Sequence, residues 1–201
     1  QKPCIDECAR VQWHGLEPLE QRLLLSATLP TPFTFMSGHS DGMEPHFSAE
    51  VVPNFNVIGG TSNNASIINA IQSQGKLYSR HVSNNNRSNL SQLVSDWSAP
   101  FNGSLGYTFD AIHIDEIHPD TNGSLQSNNV ISALQQVRAA YPNKAIFVWV
   151  RWQLAANPSA YSNQWNAFNT YADMILQETY TREANNQINL FNGYLQNIGN
   201  Y

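Results

Sequence analysis

The chain has 201 residues, 41 % apolar and only 12 % charged, with a formal net charge of −5. That length suits one domain, or one domain with an appendage, and the apolar share suffices for a core. Ten scattered Lys and Arg argue against a nucleic-acid surface, which needs clustered cations, and no apolar run approaches the roughly 18 residues of a membrane span.

The charged share is about half the usual fraction, and Asn, Ser and Gln take its place, which predicts a neutral, hydrogen-bonding surface. Residues 1–48 differ in composition from the rest and read as a poorly structured appendage. They carry Pro3, Pro18, Pro30 and Pro32 and the only two cysteines, Cys4 and Cys8. A Cys4–Cys8 disulfide would close a very short loop, and no His stands at zinc-finger spacing from the pair, so neither is expected to serve the domain. With no initiator Met and no recognisable signal peptide, the amino terminus is expected to be processed, trimmed or truncated.

The stretch LEPLEQRLLLSA, residues 16–27, resembles the LEPR-XLL motif of exported and surface proteins in planctomycete-type bacteria. Leu19, Glu20, Arg22, Leu23, Leu24, Leu25, Ser26 and Ala27 carry the resemblance, and Gln21 stands where that motif usually has Pro. It implies a bacterial protein, extracellular or at the cell surface. The N-x-S triplets at Asn64, Asn86, Asn89, Asn102 and Asn122 would then be incidental rather than glycosylation acceptors.

The main domain is expected over 49–201. NFNVIGG reads as a short buried strand, and NNASIINAIQSQG as a helix with Ile67, Ile68 and Ile71 on one face, stopped by Gly75. KLYSRHV is a second strand and SNLSQLVSDW a second helix. FDAIHIDEI is a third strand, followed by the helix SNNVISALQQVRAAYPN, with Val130, Leu134 and Val137 spaced for one face. KAIFVWV is a fourth strand, and a helix begins at Pro158. ADMILQETY is a fifth strand, and TREANNQINLFNGYLQNI a last helix.

Strands alternating with helices predict parallel βαβ units and an α/β fold. About five units are too few for a complete (β/α)8 barrel, which needs about 250 residues. The expectation is therefore a partial TIM-barrel-like domain, truncated at its carboxyl end, with an open doubly wound sheet as the alternative. IGGTSNN after the first strand lacks both G-x-G-x-x-G and a Walker lysine, which disfavours a nucleotide-binding sheet, and no cofactor is expected.

Candidate chemistry gathers in FDAIHIDEIHP, residues 109–119, which holds three acids and two histidines. A parallel strand covered by helices keeps its outer face aliphatic. Ile112 and Ile114 should therefore face outward, and Ala111, His113 and Asp115 inward. By the same alternation Ile146, Val148 and Val150 face out, while Ala145, Phe147, Trp149 and Arg151 face in. Glu116 breaks the pattern and is expected where the strand gives way to loop. On the fifth strand Glu178 and Tyr180 share a face with Met174 and Leu176, with Gln177 opposite. Alternation leaves open which face points inward, and a carboxylate and a phenol at the carboxyl end favour that of Glu178. Barrel enzymes hold their sites at the carboxyl ends of the strands, and this end collects Asp115, Glu116 and Glu178. Two neighbouring carboxylates that divide the roles of proton donor and nucleophile or base are what glycoside cleavage requires. His81, His113, Trp149, Arg151 and Tyr180 are the expected substrate contacts, with carbohydrate as the ligand.

FDAIHIDE resembles the FDGI-x-x-D strand of glycosidase-type TIM barrels, including chitinase-like and polygalactosaminidase-like groups. The resemblance implies that Asp115, with Glu116 as the nearest match to a following acid, lines the cleft. The chitinase pattern wants a Glu where Ile117 stands, and His113 replaces an earlier Asp. YADMILQETY likewise resembles a later strand of glycosidase-like barrels, with an acid and a Tyr at its tip. Two other readings compete. One is a metal-dependent hydrolase using His113 and Asp115, assisted by Glu116, His118, His39 or His81. The other is a non-catalytic module that binds glycan or protein. Serine catalysis finds no G-x-S-x-G elbow, and oligomeric state is left open.

Overall fold

The computed structural model describes residues 33–39 and 52–177. The twelve-residue stretch 16–27, Cys4, Cys8, Glu178, Tyr180 and the last expected helix lie outside the described residues. Among the described residues six strands form one sheet: β1 Phe35–His39, β2 Val57–Gly60, β3 Leu77–Val82, β4 Ala111–Ile117, β5 Ala145–Val150 and β6 Met174–Gln177. Every neighbouring pair is parallel, and the spatial order follows the chain. The described parts of the connections carry five α-helices: α1 Ala65–Gln72, α2 Leu90–Asn102, α3 Leu125–Ala140, α4 Trp152–Ala156 and α5 Ser162–Tyr171.

This is a half-barrel. A doubly wound sheet reverses its strand order at a switch point, and here no reversal occurs. Five strands of a flat sheet would put the first and last about 19 Å apart. Yet Phe35 of β1 meets Phe147 and Trp149 of β5 at ring-centroid distances of 5.8 and 5.9 Å. Only a sheet curled about its strand axis brings those side chains together.

The two faces of the sheet differ as the alternation predicts. Ile112, Ile114, Ile146, Val148 and Val150 pack under the helices with Leu93, Trp97, Val130, Leu134 and Phe168. The concave face carries Phe35, Val57, Ala111, Ala145, Phe147, Met174 and Leu176 from the strands, with Phe33 just before β1. Gly59 lies between these layers because a Cβ there would come within 2.7 Å of Phe35 and 2.9 Å of His113. Its hydrogen is what lets both rings into the interior.

Several asparagines and serines start helices rather than decorate the surface. Asn64, Asn89 and Ser124 cap α1, α2 and α3, their side chains accepting from Ser66, Gln92 and Ser127 backbone N–H groups. Each satisfies a donor that the first helical turn leaves unpaired. α2 runs farther than its sequence suggests, through Pro100 to Asn102, where Gly103 ends it in a left-handed conformation (φ 81°). Burial of Phe101 beside Leu93 and Trp97 outweighs the hydrogen bond that Pro100 cannot donate. The helix expected from Pro158 divides into a 3-10 turn, Pro158–Tyr161, and α5. The sheet also takes in β1 from the segment expected to stand apart. Phe33 and Phe35 supply the reason, since both fill the concave face beside Phe147.

Candidate active site at the carboxyl ends of the strands

β4 does not fade into loop after Asp115. Its pairing with β5 is regular from Ala111 to Ile114, slips, and resumes at Ile117 opposite Val150. The slip is a bulge, and Glu116 within it has φ +47°, the one non-glycine residue with positive φ among the described residues. The expectation of a loop at Glu116 is thus corrected. Ile117 is fully buried against the helices beside Val150, so the strand must continue, and the extra residue goes into the bulge. A bulge re-aims side chains and recurs near functional sites. The left-handed conformation costs a residue such as Glu about 1–2 kcal/mol.

The bulge puts Asp115 and Glu116 consecutively at the mouth of the half-barrel, each with a different partner. Asp115 Oδ2 lies 3.1 Å from His81 Nε2, with the two side chains 41 % and 31 % exposed. The hydrogen bond from His81 holds the Asp115 carboxyl below the usual carboxylate range, against a smaller opposing effect of burial. Glu116 Oε2 accepts a 2.6 Å bond from Arg151 Nη2. Arg151 lies just past β5, its backbone N–H bonded to Ile117 O, so the guanidinium spans the two strand ends.

His118 and Arg87 extend this network. Arg151 Nη1 is 3.4 Å from His118 Nδ1, and Gln164 Nε2 donates to His118 O at 3.1 Å. Burial, then the charges of Arg87 and Arg151, lowers the His118 pKa. Arg87 pairs with Asp120 at 3.3 Å and its carbonyl accepts from Asn129. In sequence His118 merely flanks the strand. Only the bulge, which alternation cannot foresee, turns it toward Arg151.

His113 has a different environment from that of a substrate ligand. It is 1 % exposed, its Nδ1 is 3.1 Å from the buried Ser79 Oγ, and the rings of Phe35 and His81 meet it edge-on at 5.4 and 5.3 Å. Burial first, then the neighbouring His81, pushes its pKa down to about 3, so it is neutral under ordinary conditions. It forms the floor of the site rather than its lining. Ser79 is a residue that sequence reasoning does not single out, although it shares the inward face of β3 with His81 two residues on. Trp149 points inward beside Phe35, and its indole N–H is buried with no hydrogen-bond partner among the described residues, as is the carboxamide of Asn84 just past β3. No three His, Cys, Asp or Glu side chains among the described residues converge as a metal-binding group. The juxtaposition of His113 with Asp115 therefore does not extend to a third ligand there.

No family model matches the sequence, and no curated protein matches it. Among solved structures, the chain is similar to the glycoside hydrolase domain of PelA from Pseudomonas aeruginosa, with a TM-score of 0.51 at 12 % identity. The match covers 85 % of this chain and 80 % of that one. At that identity the likeness shows the fold alone. No helix among the described residues is long and apolar enough to cross a membrane.

Proposed function

We propose that this chain is a glycoside hydrolase domain that cleaves a polysaccharide at the carboxyl ends of its strands. The observation that carries the reading is the bulge in β4, which uses backbone strain to set Asp115 and Glu116 side by side at the mouth. Strain retained beside paired carboxylates points to use rather than to packing. Asp115, kept ionised by His81, suits the nucleophile or the base that activates water. Glu178 is the proposed proton donor to the leaving oxygen, because it follows Leu176 by two residues and Leu176 packs on the concave face. Glu116, with Arg151, would hold sugar hydroxyls or support the developing charge. Trp149, Tyr180 and the exposed Trp152 (43 %) beside Arg151 supply aromatic surface for sugar rings. The LEPR-XLL-like stretch at 16–27 supports an exported protein that meets its substrate outside the cell.

The test is incubation with neutral, uronic-acid and amino-sugar polysaccharides, with released oligosaccharides read by mass spectrometry. Wild type should shorten at least one polymer, and Asp115→Asn should still bind that polymer without shortening it. A wild-type protein that binds glycan and cleaves none makes the chain a binding module. Cleavage undiminished in Asp115→Asn removes Asp115 from the reacting groups.

A further inference from the structure

Among the side chains around Asp115, His81 has a geometry that fits a task other than touching sugar. We propose that His81 is a positioning residue: it fixes the orientation of the Asp115 carboxylate from the neighbouring strand. The inference rests on the reading of Asp115 as the reacting carboxylate.

The arrangement follows from register. β3 and β4 are parallel with His81 opposite His113, so Asp115 lies one inward-facing position farther toward the mouth. His81 Nε2 reaches across to Asp115 Oδ2 at 3.1 Å. An ionised carboxylate only accepts, so that hydrogen bond places the His81 proton on Nε2. The Glu116 backbone N–H adds a smaller effect that also favours the ionised carboxylate. The bond from His81 on the neighbouring strand restricts rotation of the carboxylate.

His81 is itself held. Its ring meets His113 edge-on at 5.3 Å and 74°, and His113 is locked by Ser79 Oγ, by Phe35 and by the close approach to Gly59. The chain of contacts runs from the packed floor of the half-barrel through His81 to the reacting oxygen. Among the described residues the charged and titratable groups around it are Arg80 and His81 on β3, His113 and Glu116 on β4, and Arg151 past β5, which is bonded to Glu116. With His113 neutral, His81 is the nearest of these side chains able to donate to Asp115 and favour its ionised form.

The experiment compares wild type, His81→Leu and His81→Gln. Carboxyl 13C NMR of aspartate-labelled protein gives the Asp115 titration midpoint, and steady-state kinetics on the cleaved polymer gives kcat and KM. In His81→Leu the midpoint should rise by about one pH unit, the effect of losing one donor to a carboxylate. The acid limb of kcat should move up with it, and kcat should fall about tenfold, within the range for one misoriented group, while KM stays within about twofold. His81→Gln retains an N–H donor and should recover part of both effects, which also guards against a Leu variant that folds poorly. An unmoved Asp115 midpoint in both variants overturns the proposal, whether or not any glycan is cleaved. A raised KM with unchanged kcat overturns it too, by making His81 a substrate ligand. A shifted midpoint in a protein whose Asp115→Asn form stays active upholds the His81–Asp115 hydrogen bond and sinks the catalytic reading instead.

Discussion

The amino and carboxyl ends of this sheet both carry ion pairs, and they are built to different ends. At the amino end Arg138 of α3 pairs with Asp173 at 2.6 Å, the two side chains 16 % and 4 % exposed. Arg138 also donates to the carbonyls of Tyr171, Pro142 and Lys144, and Asp173 Oδ2 accepts from Ile146 N–H. That pair ties the last turn of α3 to the starts of β5 and β6. At the carboxyl end Asp115 and Glu116 remain 41 % and 36 % exposed, on a strained bulge rather than a regular strand. The Arg138–Asp173 pair has its hydrogen bonds met within the protein and is largely shielded from solvent. The carboxyl end keeps its carboxylates within reach of solvent, which is how a fold separates stability from chemistry.

The largest expected effect separates the two ends directly. Asp115→Asn should lower cleavage on the order of a thousandfold or more, as loss of a nucleophile or base does. Asp110→Asn should leave it unchanged. Asp110 sits at the amino end, paired with Lys144 and 55 % exposed, where an ion pair contributes at most about 1 kcal/mol. Equal losses in the two variants, in a product-release assay, would break the contrast.

Next in size is the amino-end pair itself. Arg138→Ala leaves Asp173 buried without its cation, and breaking such a pair costs about 3–5 kcal/mol. Urea denaturation should show that loss, while activity per folded molecule at low temperature stays near wild type. An unchanged midpoint would mean that the amino end is not where the fold is secured.

A third effect follows from the floor of the site. The His113 pKa is pushed down to about 3 in the folded protein, chiefly by burial, while the unfolded chain takes up a proton near 6.5. Below about 6.5 the unfolded state therefore binds the extra proton, and stability falls by at most about 1.4 kcal/mol per pH unit until folded His113 titrates. His118, also lowered by burial, adds a smaller slope of the same sign. Asp115, whose folded pKa is depressed, contributes stability above about pH 4 that is lost only as pH falls through its folded value. Denaturation between about pH 7 and pH 4.5, the window these shifts define, should show the fall, and His113→Gln should flatten most of it. A variant as pH-sensitive as wild type would place the titrating group elsewhere.

Alternation alone is enough to read the two faces of β4 and β5. Ile112, Ile114, Ile146, Val148 and Val150 reach the helices, and Ala111, Phe147 and Trp149 reach the interior. Trp97 reads as core from its helix position and is fully buried. β1 is not legible, because FMSGH has no helix pattern after it and stands among prolines. Its place depends on Phe33 and Phe35 meeting β5, an encounter between segments distant in sequence. The Ser79–His113 bond is half legible, since both residues sit on inward positions, but register between strands is not written in either strand alone. The bulge is not legible at all: nothing local in IDEI distinguishes a strand end from a strand that resumes at Ile117.

The smallest effect tests that bulge. Glu116→Gly removes the side chain from a left-handed position, which relieves about 1–2 kcal/mol of backbone strain and adds about 0.5–1 kcal/mol of unfolded-chain entropy. It also removes the ion pair with Arg151, whose two side chains are each about one-third exposed, so solvent screens most of that pair's worth. The variant should therefore match wild type in stability or exceed it by up to about 1 kcal/mol, while cleavage declines. No residue of the amino-end pair should behave this way, because Arg138 and Asp173 stand in unstrained backbone. If Glu116→Gly instead unfolds readily, the bulge serves the fold and Glu116 belongs with Arg138 and Asp173. A protein made more stable and less active by one substitution places the strain on the side of function.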